Sequence, residues 1–168
     1  MNIVDLIKGQ LTSENLSRLG SLIGESEDKT KAAASAAVPS FLSVLASLAS
    51  SSGGAEKVIN ALKQVDPGTQ GGFGDILSGP QSTTIQEKGG SLLNILLGAG
   101  GLPILLNVLS KFAGIASGPA KGLLSYLAPL ILAMIAKQFT GKPLTTQSLS
   151  SFFADQKANI NAAMPAGL

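Results

Sequence analysis

Chemistry in a protein needs reactive groups held close together, and this chain supplies few. It has no Cys and no His. Disulfides, thiolate metal sites and thiol nucleophiles are therefore excluded. So are the usual general base, the usual zinc ligand and a triad built on imidazole. Ser, Thr, Lys, Arg, Tyr and carboxylates remain, and their spacing forms no catalytic constellation. Gly71-Gly72-Phe73-Gly74-Asp75 and Thr140-Gly141-Lys142 resemble fragments of phosphate loops, but neither has the complete spacing nor a preceding strand. Asp5, Glu14, Glu25, Glu27, Asp28 and Glu56 fall at helix starts or on solvated faces, where capping and solvation account for them. The expectation is a non-enzyme with no catalytic residue, no metal and no cofactor.

What the residues can do is bind. Pro39 and Pro129 each lie inside a helical pattern, where a proline frees a carbonyl one turn back and bends the axis. Two such kinks can open an apolar cleft, lined by Phe41, Leu127 and Leu130. Lys31 and Lys121, early in the same two helices, can meet an acidic partner or a lipid head group. Self-association or a protein partner is the leading expectation, because charged residues make up only 13% of the chain and apolar ones 45%. An apolar ligand in the cleft and peripheral membrane association are the alternatives.

The net charge of +2 is too small to argue for nucleic acid, and the scattered aromatics offer no base-stacking platform. The charge is uneven, however. Residues 91–168 carry five lysines against the single acid Asp155, so the second half is basic. An N-terminus with Asp5 and Lys8 inside its apolar stretch is a poor secretory signal, which implies a cytoplasmic chain, placed at the inner membrane if a span follows. Three charge-free stretches, 32–55, 89–110 and 122–136, read as buried helices of a soluble bundle.

The elements that must position these residues are helical throughout, with no strand pattern. Shifted by 90 residues, the sequence meets itself at Leu6/Leu96, Leu16/Leu106, Leu19/Leu109, Gly24/Gly114, Lys31/Lys121, Ser35/Ser125, Pro39/Pro129, Leu42/Leu132 and Ala46/Ala136. The predicted architecture is all-α: one domain over 1–168, made of two pseudo-symmetric four-helix repeats that share a core. Repeat one covers about 1–64 and repeat two about 91–164. A Gly/Pro-rich loop over 65–90 joins them, from which Phe73, Ile76 and Leu77 can dock on the core. Each repeat holds a long Pro-kinked helix. Thr12 or Ser13, Ser26 and Ser117 are the expected helix caps, with Gly9, Gly24, Gly98 and Gly114 as stops. The second long helix is apolar around nearly its whole circumference, so it is expected to be the central one.

The order LIKGQLTSENLSRLGSLIG, KAAASAAVPSFLSVLASLA, GGAEKVINAL, followed by LLSYLAPLILAMIAKQ and a closing Met-Pro-Ala-Gly-Leu, resembles the bacterial YidB-like family, domain of unknown function 937. The resemblance implies an all-helical module with no known activity. In one architecture of that family, the module precedes a linker, a membrane span and a domain like outer membrane protein A, which implies a link to the cell envelope. It brings no functional residues to transfer.

Overall fold

The structure, a computed structural model, describes residues 3–64, 82–139 and 141–163. The docking expected of Phe73, Ile76 and Leu77 lies outside them, as does the closing Met164–Leu168 segment. The described residues are helical, without a strand. Helix α1 (Ile3–Lys8) is followed by α2 (Ser13–Ile23), α3 (Glu27–Ala49) and α4 (Ser52–Gln64). Then come α5 (Ser82–Ala113), α6 (Ser117–Gln138) and α7 (Thr146–Ala163).

Local chemistry sets the boundaries. The Thr12 hydroxyl accepts from the Asn15 N–H at 3.2 Å, and the Ser26 hydroxyl accepts from the Lys29 N–H at 3.3 Å. Each satisfies one of the orphan donors at a helix start. Gly24 ends α2 in the left-handed region at φ 79°, with Gly114 doing the same after α5 at φ 69°. α6 departs from expectation: it begins at Ser117, its N-cap is Ala116, and no side chain caps it.

One further expectation needs correction. Residues 82–90 are not loop, because α5 starts at Ser82 and continues through Gly89 and Gly90. Both prolines lie within continuous helices, and the expected stop at Gly98 is a sharp bend. α3 runs from Glu27 to Ala49 with Pro39 inside it, and α6 from Ser117 to Gln138 with Pro129 inside it. The bend falls in α5 at Gly98 (φ 68°, ψ −176°), where a proximal arm and a distal arm (Gly100–Ala113) meet at 110°. Only glycine takes that backbone conformation without strain.

The core is shared by two helices. α6 buries Leu123, Leu124, Leu127, Ile131, Leu132 and Ile135, as its all-round apolar pattern requires. It packs most extensively on α5. α3 is equally central: it touches each of the other six described helices. Its narrow Ala33, Ala34, Ala36 and Ala37 run lets neighbours approach closely, while Phe41, Leu42 and Leu45 fill the volume beyond. α7 closes the bundle with Leu149, Phe153 and Ile160. Phe152 extends this packing, edge-on to Phe139 at a ring separation of 5.5 Å and to Phe153 at 5.2 Å.

Candidate functional site

A proline inside a helix has no N–H, so the carbonyl four residues earlier loses its ordinary donor. For Pro39 that carbonyl belongs to Ser35, and for Pro129 it belongs to Ser125. The two fates differ. At Ser125 the proximal arm of α5 crosses so closely that a methyl group on Gly89 would overlap the carbonyl oxygen. Gly89 therefore seals the gap, its backbone lying where no side chain fits. Ser35, half-buried, instead lines an open cleft.

That cleft has a volume of about 160 Å³ and is framed by Lys8, Leu11, Leu16, Lys31, Ala34 and Ser35. It lies where α1, the turn after it, α2 and α3 meet. The turn is fixed by N–H groups of Gly9, Gln10 and Leu11 donating to the carbonyls of Asp5, Ile7 and Lys8 at 2.9–3.0 Å. Leu16 and Ala34 are buried, Leu11 and Ser35 half-buried, and both lysines exposed. The floor is thus apolar and the rim cationic.

The sequence-predicted site residues separate. Phe41 and Leu127 are wholly buried and Pro39 is buried too; Pro129 and Leu130 are half-buried. Lys121 is exposed at the start of α6, and only Lys31 reaches the cleft. Among the described residues no group of three or more His, Cys, Asp or Glu side chains gathers as a metal site would require.

A second surface lies on the distal arm of α5. Ile104, Val108 and Phe112 recur every four residues along the distal arm and are 68%, 37% and 38% exposed. Leu102, Leu105 and Leu109, on the opposite side, are the arm's buried residues. The positions ninety residues earlier are Glu14, Arg18 and Leu22. There Arg18 Nη2 donates to Glu14 Oε1 at 2.7 Å, an i,i+4 pair on the surface of α2. Where α2 carries an ion pair, the distal arm carries Ile and Val.

Two helices, Glu27–Ala49 and Ser117–Gln138, are long and apolar enough to cross a membrane, with mean hydropathies of 1.7 and 1.5. In each, about three fifths (61%) of the most apolar 18-residue stretch is buried within the bundle.

A family model described as "Bacterial protein of unknown function (DUF937)" matches residues 5–138. The chain belongs to this family. No curated protein and no solved structure matches it. The matched segment takes in α1 through α6 and stops before α7, so both the cleft and the apolar stripe fall within it.

Proposed function

We propose that this member of the bacterial DUF937 family is a non-enzymatic interaction module that self-associates through the outer face of the distal arm of α5. The observation that carries this reading is the exposed Ile104–Val108–Phe112 stripe. Its spacing is symmetric about Val108. A second copy packed antiparallel across a twofold at Val108 sets Ile104 of one copy against Phe112 of the other, the self-complementary arrangement of an isologous contact. Lys111, the arm's single charge, lies at the rim of that contact, where it does not have to be desolvated. Light scattering tests the reading. The expected result is a dimer that Val108→Glu converts to a monomer without loss of helix content. A strict monomer for the unmodified chain at high concentration sinks it.

The same reading takes the bundle as two repeats offset by ninety residues. Supporting it are the paired left-handed stops Gly24 and Gly114, the helix starts at Glu27 and Ser117, and the prolines at equivalent points of α3 and α6. The copies have diverged in surface: the first keeps an ion pair where the second is apolar.

Peripheral membrane association from the cytoplasmic side is the second reading. It is favoured by the two span-length helices and by the basic second half. Flotation with anionic vesicles distinguishes it: self-association without flotation leaves only the first reading standing.

A further inference from the structure

We propose that the cleft framed by Lys8 and Lys31 is a binding site for a carboxylate carried on an apolar chain. This goes beyond the self-association reading and rests on different residues. Two helices bring lysines to the edge of one small concavity. Lys8 comes from the last turn of α1 and Lys31 from the second turn of α3. No carboxylate lines the cleft. Glu27 and Asp28 stand one turn back on α3, yet among the described residues neither lysine is held in an ion pair. Asp5 likewise stands one turn before Lys8, and like charges that border one place without being paired there favour an anion. Ser35 adds a hydroxyl that has no hydrogen-bond partner among the described residues.

The floor decides the kind of anion. Leu11, Leu16 and Ala34 offer nothing to a bare inorganic ion, whose hydration they would strip without return. They do suit methylene groups. At about 160 Å³ the cleft is smaller than the roughly 300–1,000 Å³ of sites that enclose a drug-sized ligand. It therefore takes the head and the first carbons, with the remainder of the chain outside it.

The test is a titration of the full chain with sodium octanoate, followed by amide chemical shifts. Saturable shifts are expected at Lys8, Leu11, Lys31 and Ser35. Lys8→Gln combined with Lys31→Gln should weaken binding about tenfold, because two charge-assisted contacts are lost together. The double variant Lys57→Gln/Lys63→Gln, with the same loss of charge elsewhere, should bind as the unmodified chain does. Inorganic phosphate and octylamine should give no saturable shift at the cleft. Binding that survives the Lys8/Lys31 change, phosphate or octylamine binding as tightly as octanoate, or no saturable octanoate shift would each overturn the proposal. Both lysines are exposed, so the variants keep the fold, which circular dichroism checks.

Discussion

The backbone N–H of Ile3 donates to Oε1 of Gln156 at 3.0 Å, in the buried interior. Ile3 opens α1 and Gln156 lies in the middle of α7, so one side chain caps the first helix from the last. Gln156 is 4% exposed, and the same oxygen accepts from Asn159 Nδ2 at 3.1 Å.

Gln156→Leu keeps the volume but leaves the Ile3 donor buried without an acceptor. It should destabilise the chain by about 1–3 kcal/mol, the cost of an unsatisfied buried group. Urea unfolding checks this. An unchanged midpoint would mean that water replaces the amide.

Gly89→Ala and Gly53→Ala should act in opposite directions. A methyl group at Gly89 meets the Ser125 carbonyl, and backbone on both sides leaves it nowhere to go. Overpacking of this kind costs about 1–3 kcal/mol or more. Gly53 lies exposed in the first turn of α4 with nothing near the place its Cβ would take, so alanine there should stabilise by about 0.4–1 kcal/mol through the unfolded chain. Thermal unfolding of the two variants side by side gives the sign of each.

Ala116 occupies the cap position that Ser26 fills ninety residues earlier, with matching backbone (ψ 161° against 159°). The donor that serves Ser26 is the N–H of Lys29, three residues on, and its counterpart after Ala116 is Pro119, which has no N–H. Ala116→Ser should therefore leave stability nearly unchanged, while Ser26→Ala should lose about 0.5–1 kcal/mol. A silent Ser26→Ala in denaturant unfolding would mean that this helix end does not limit stability.

Glu14→Ile with Arg18→Val copies the apolar stripe of the distal arm onto α2. The exposed ion pair it removes is worth only about 0.2–1 kcal/mol, so the fold should tolerate the change. Sedimentation should show association beyond the dimer, because each copy then carries two adhesive faces.

These contrasts indicate how much could be read from the sequence. Thr12, Ser26, Gly24 and the Leu16/Leu19 spacing act within one turn of themselves, and the structure follows them. Gly89 and Gly90 read as loop because glycine is a poor helix former, and their helical state depends on contact with α6, a partner more than thirty residues away. Pro39 and Pro129 lie within α3 and α6, as their place in the apolar pattern implies, and Gly98, an expected stop, carries the 110° bend. Of the binding residues, Lys31 was found but Lys8 was not, since only the tertiary approach of α1 to α3 brings it near. Phe41 and Leu127 were placed beside a cleft. Burial puts them in the shared core instead.

The two carbonyls that lose a donor to proline also set where water first reaches the interior. At Ser125 the break is roofed by Gly89, so amides along the middle of α6 can trade their protons with solvent only when α5 leaves or the whole bundle opens. Ser35 instead borders an open cleft, with Ala33, Ala34, Ala36 and Ala37 around it buried, so exchange near it should be faster than near Ser125 while α3 as a whole stays protected.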